Sequence, residues 1–118
     1  MSEEKSQLVV RENQDVCVVE FEEKKILEEL SIQQIGDELT GLVDSRPNIK
    51  MVLNFRNVEH LSSAALGMLI NLRNRVNEKD GQLRLSNIKP QIFEVFKITQ
   101  LHKLFEIHET AAQAINAF

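Results

Sequence analysis

The feature that most limits what this chain can fold into is an alternation of two hydrophobic periods. Ile32, Ile35, Leu39, Leu42 and Val43 recur at helical spacing, and Met51-Val52-Leu53 is then a near-continuous apolar run of strand type. A helical segment follows from Ala64 to Asn77, then a short alternating run, Leu83-Arg84-Leu85. Ile92, Val95, Phe96 and Thr99 share one helical face, Leu104-Phe105-Glu106-Ile107 reads as a last strand, and Ala111, Ala114, Ile115 and Phe118 mark a short terminal helix. Strands that alternate with helices need right-handed crossovers and so a largely parallel sheet. Upstream, Leu8-Val9-Val10 and Val16 to Phe21 flank the turn-type run Arg11 to Asp15 and predict a β-hairpin. The expected fold is α/β: a mixed, mostly parallel sheet of about five strands opening with a hairpin, with about four α-helices.

Local signals place the boundaries. Glu22 to Glu29 is charged, with Ile26 and Leu27 as its apolar anchors, and reads as a loop. Ser31 and Gln34 predict a capping box, with Leu30 and Ile35 as a hydrophobic staple. Ser45-Arg46-Pro47 stops that helix, because a residue before proline avoids the helical region. Gly81 is suited to a left-handed cap, Pro90 to a first helical turn, and Thr110 with Gln113 to a second capping box.

Composition removes several functions. The 118 residues make one domain, with 1–6 expected as a flexible tail. A net charge of -4 and scattered lysines and arginines disfavour direct nucleic-acid binding. Six Phe without Trp or Tyr leave no stacking platform. No apolar run approaches the roughly 18 residues that cross a bilayer, and the polar, acidic start is unlike a signal peptide; a cytoplasmic protein with no membrane partner is expected. Cys17, within Val16-Cys17-Val18-Val19, reads as a buried strand residue. Glycines at 36, 41, 67 and 81 write no nucleotide-binding loop, and His60, His102 and His108 have no metal-ligand spacing. No cofactor or metal is implied. Ser63 with His60 as base is a hydrolase on paper, but the serine lacks flanking glycines, so no enzyme and no catalytic residue is expected.

Attention narrows to Ser62 and Ser63, between the Lys50 to Phe55 strand and the following helix. In the plain reading Ser62 is the N-cap, accepting from the N–H of Ala64 or Ala65, and Ser63 is the first helical residue. Helix geometry adds that Ala65, Leu69, Leu72 and Val76 form the core stripe, while Leu66 and Ile70 lie well round from it. Ser63 projects near Gly67 and Ile70, at an edge that suits either a docking surface or a wide core. A phosphate on Ser63 would carry about -1.5 to -2 charge. The helix N-terminus tolerates such an anion, whereas a partner packed on the apolar flank would have to desolvate it.

The run Ser62-Ser63-Ala64-Ala65-Leu66-Gly67 resembles the phosphorylation loop of the STAS domain, as in bacterial anti-sigma factor antagonists. Pro90 to Ile107 resembles that family's third helix and last strand. Aligned on Leu66-Gly67, Ser63 falls on the serine that the family's kinase phosphorylates, with Ser62 as the less favoured site. Ser62 stands where the family has aspartate, Ala64-Ala65 replace Ser-Gly, Asn54 replaces aspartate, and Gln100 replaces a glycine. The resemblance implies partner switching. The antagonist binds an anti-sigma factor with serine kinase activity, phosphorylation of Ser63 releases it, and a serine phosphatase resets it. The implied partner surface is Asn57, Ser62, Ser63, Ala64, Leu66, Gly67 and Ile70. Two alternatives stay open, an unphosphorylated STAS scaffold that is a structural subunit of a larger signalling assembly and a small-ligand-sensing STAS module; a homo-oligomer is open as well.

Overall fold

The computed structural model describes residues 8–118, so the expected tail at 1–6 lies outside the described residues. β1 (Leu8–Asn13) and β2 (Val16–Phe21) form an antiparallel hairpin. Its turn is only Gln14-Asp15, with φ of 55° and 69°, so the strands run further than the apolar residues alone indicate. Positive φ at both central residues is the turn whose twist matches that of a hairpin. After β3 (Lys25–Ile26) come α1 (Glu29–Ser45), β4 (Lys50–Asn54), β5 (His60–Leu61), α2 (Ser63–Glu78) and β6 (Gln82–Ser86). Then follow α3 (Pro90–Ile98), a 3-10 turn at Leu101–Lys103, β7 (Glu106–His108) and α4 (Ala111–Asn116).

The main sheet has the order β1-β2-β4-β6-β7, and every pairing after the hairpin is parallel. The crossovers step in one direction across the sheet, so right-handed connections place α1, α2 and α3 on one face. Their buried residues, among them Ile35, Leu39, Leu69, Leu72 and Phe96, form one core with Cys17, Val19, Met51, Leu53 and Leu85 of the strands. Val16 and Val52 point the other way and pack against Ala114 of α4. The mixed α/β fold is as the alternation of periods implied.

Several boundaries moved. The charged segment expected as loop contains β3, which pairs with β5 in a separate two-stranded parallel sheet. Ile26 is buried there. α1 begins at Glu29, capped by the backbone of Glu28 rather than by a Ser31 capping box. Ile32 N–H donates to Glu28 O at 2.9 Å, which extends the helix one turn upstream. Leu30 is 67% exposed, so the staple with Ile35 does not form. After α2 the left-handed residue is Asp80 (φ 59°), not Gly81. Gly81 N–H bonds Val76 O and Asp80 N–H bonds Asn77 O, closing the helix. Gly81 is needed for closeness instead, since a Cβ there would lie 2.7 Å from Ile49 O. The last strand starts at Glu106, because the 3-10 turn takes up the residues before Leu104.

Candidate functional site

The parallel strands all end at one edge of the sheet, and α2 begins there. Ser62 has extended backbone (φ -89°, ψ 169°), and its Oγ accepts from Ala65 N–H at 3.2 Å. This is the cap expected from sequence, worth about 1 kcal/mol. The small sheet fixes the entry to the helix: Ser62 N–H donates to Ile26 O at 3.1 Å. Glu59 and His60 N–H both donate to Lys24 O, at 2.7 and 3.1 Å. Ser63 is the first residue of α2, is exposed, and its hydroxyl makes no hydrogen bond among the described residues. Nor does it share one with His60, the base of the hydrolase on paper. Among the described residues no group of His, Cys, Asp and Glu is placed to hold a metal ion.

The remaining candidates divide. Ala64 is exposed and Gly67 half-buried, and a Cβ added at Gly67 would meet nothing within 4 Å. Ser63 and Gly67, four residues apart, therefore share an open helical face. Leu66 is only 8% exposed and belongs to the core, and half-buried Ile70 packs against it. Leu66 is thus a core residue, as in the wide-core alternative, whereas Ile70 keeps part of its side chain at the surface: the three helices over one sheet face leave α2 covered on more than one stripe. Asn57 serves the loop. Its Nδ2 donates to Glu20 Oε2 at 3.2 Å and to Phe21 O at 3.1 Å. Arg56 joins the same carboxylate at 3.1 Å, and Arg56 N–H donates to Asn54 Oδ1 at 2.9 Å. What sequence reasoning missed is the apolar pair beside this turn. Leu27 (48% exposed) and Leu30 flank the β3–α1 junction, and the one signal for it was Ile26-Leu27 inside a charged run.

Comparison with known proteins settles the family. The STAS domain model matches residues 7–114. This chain belongs to the STAS-domain family. The STAS chain is 34% identical over 58 residues to a STAS-domain containing protein of Pseudomonas aeruginosa, covering 49% of this chain and 57% of that one. It is 26% identical over 93 residues to BtrV of Bordetella bronchiseptica, named as a candidate anti-sigma factor antagonist, covering 79% of each. Among solved structures, an anti-sigma-factor antagonist (STAS) domain protein from Planctomyces limnophilus superposes with a TM-score of 0.86 at 20% identity, covering 95% of this chain and 97% of that one. The Bacillus cell fate determinant SpoIIAA in its phosphorylated form superposes with a TM-score of 0.69 at 15% identity, covering 93% and 97%. At these identities the superpositions establish the fold.

Proposed function

We propose that this STAS chain is a cytoplasmic anti-sigma factor antagonist that works by partner switching. It binds an anti-sigma factor with serine kinase activity through the start of α2 while Ser63 is unmodified, and phosphorylation of Ser63 releases that partner. A serine phosphatase restores the binding form. The observation that carries this reading is the division between the two serines: Ser62 spends its hydroxyl on the helix cap, while Ser63 presents a free hydroxyl at an exposed helix start. A phosphate on Ser63 sits where the helix dipole stabilises it within the fold and where a docked partner would have to desolvate it. The likeness to SpoIIAA, a structure solved in phosphorylated form, supports it as well. Gly67 fits the same account. A glycine inside a helix costs about 1 kcal/mol relative to alanine, and none of the described residues occupies the space its missing Cβ leaves, so that space suits a partner's close approach.

The test is phosphorylation by the cognate kinase with ATP, followed by mass spectrometry, together with partner affinity. Modification is expected on Ser63, and Ser63→Asp is expected to lose partner binding while Ser63→Ala keeps it. Modification elsewhere, or a Ser63→Asp chain that binds as tightly as wild type, would overturn the assignment.

A further inference from the structure

Among the described residues the two most exposed large apolar side chains are Leu30 and Ile98, at 67% and 76%. Each has a companion. Leu27 (48%) accompanies Leu30, and Leu104 (41%) follows Ile98 across the 3-10 turn. Their charged neighbours differ in sign. Leu27-Glu28-Glu29-Leu30 carries two exposed glutamates and is preceded by the charge-balanced exposed run Glu22-Glu23-Lys24-Lys25, so that end is net acidic, whereas the Lys97 to Leu104 segment carries exposed Lys97 and Lys103 with no acidic residue. Among the described residues Glu28, Glu29 and Lys103 form no ion pair, and Lys97 has only the exposed Glu94 at 3.5 Å, a contact worth little.

Topology puts these patches at opposite ends. α1 starts where β2 finishes, so Leu27 and Leu30 lie at the edge where the parallel strands end. α3 runs back antiparallel to the strands, so Ile98 and Leu104 lie at the edge where they begin. One chain cannot bring the two together, but two chains can. We propose that the acidic apolar end of one STAS chain docks on the basic apolar end of a second copy, in a head-to-tail contact. The occupant follows from complementarity in both respects: each patch pairs two exposed apolar anchors with charges opposite to those of the other. A contact between different surfaces is heterologous and leaves a free patch at each end, so it extends into a ring or a chain of copies rather than closing as a two-fold dimer. The patches are small, which places the association in the weak class. The acidic patch adjoins the Ser63 turn, but the contact rests on Leu27, Leu30 and their glutamates and not on the role assigned to Ser63.

Sedimentation velocity over a range of protein concentrations tests this. The wild-type coefficient is expected to rise with concentration at low ionic strength, and the association to weaken several-fold by about 0.15 M salt, where the screening length falls to about 8 Å. Leu30→Lys and Ile98→Glu each disable one patch on an exposed position, so both variants keep the fold by circular dichroism and each alone is monomeric. Mixed, they retain one intact patch of each kind and form a 1:1 dimer that grows no further. A wild-type coefficient independent of concentration overturns the proposal. So does association that survives in either single variant, which would assign self-contact to another surface such as the β1 edge, or a mixture that stays monomeric.

Discussion

Replacing Ser62 by alanine removes the hydroxyl that accepts from Ala65 N–H and is expected to lower stability by about 1 kcal/mol. Ser63→Ala, at an exposed hydroxyl without a partner among the described residues, should stay within about 0.5 kcal/mol. Urea denaturation of the two variants separates the structural serine from the proposed switch. Gly67→Ala is expected to gain about 0.5–1 kcal/mol in the same assay while weakening partner binding, because the added methyl meets nothing among the described residues but stands on the open face beside Ser63. Gly81→Ala should do the reverse and lose about 1–3 kcal/mol, since its Cβ would press on Ile49 O at 2.7 Å, an atom that also receives Gln82 N–H. Cys17 needs no functional account. It is fully buried in β2, and desolvation pushes its thiol pKa up, away from the reactive thiolate.

Each element explains a boundary that periodicity alone missed. β3 is two residues long, too short for a pattern, and exists because its partner β5 lies alongside. Ile26 is its apolar anchor, fully buried in the main core. Ile26→Ala is expected to cost about 2–5 kcal/mol. Because Ser62 N–H donates to Ile26 O, the same variant should raise hydrogen exchange at the Ser62 amide more than at mid-helix amides of α2, which NMR can read residue by residue. α4 covers the opposite face of the sheet through Ala114, and its C-terminal extension covers Arg84. That guanidinium lies 3.8 Å from the Phe118 ring centroid, while its Nε donates to Glu106 Oε2 at 2.8 Å across the β6–β7 pair. The alternation in Leu83-Arg84-Leu85 is thus real, but its polar member is buried under an aromatic ring rather than solvated.

For the whole molecule, the charge pattern sets the acid limit of stability. Glu106 is held below the usual carboxylate range by hydrogen bonds from His108 and then Arg84, Glu12 by Arg46, and Asp44 by Arg75. A carboxylate with a depressed folded-state pKa stabilises the fold above its unfolded value, and that stability disappears as pH falls through the folded value. The melting temperature is therefore expected to be flat near neutrality and to fall below about pH 4, modestly per pair because these groups are largely exposed. Glu106→Gln should flatten the acid slope in a pH series of thermal melts. The fold class, the order of the helices and main-sheet strands, the Ser62 cap and the α2 core stripe were legible in the chain, because they rest on local spacing and its alternation. In sequence Leu66 and Ile70 stay open between a docking surface and the core, and the resemblance alone places Asn57 on the partner surface, because such placement depends on what packs alongside. Asn57 is turned inward by Glu20 and Phe21, and the two apolar residues are taken up by the three-helix layer. Sequence alone determined which residues can cap, cross over and fill a sheet, since these are local consequences of side-chain shape and period. Tertiary structure alone decided that Ser63 stays open, that β3 and β5 pair, and that apolar patches of opposite charge stand at opposite ends. Those facts depend on distances between segments far apart in the chain, which no local period encodes.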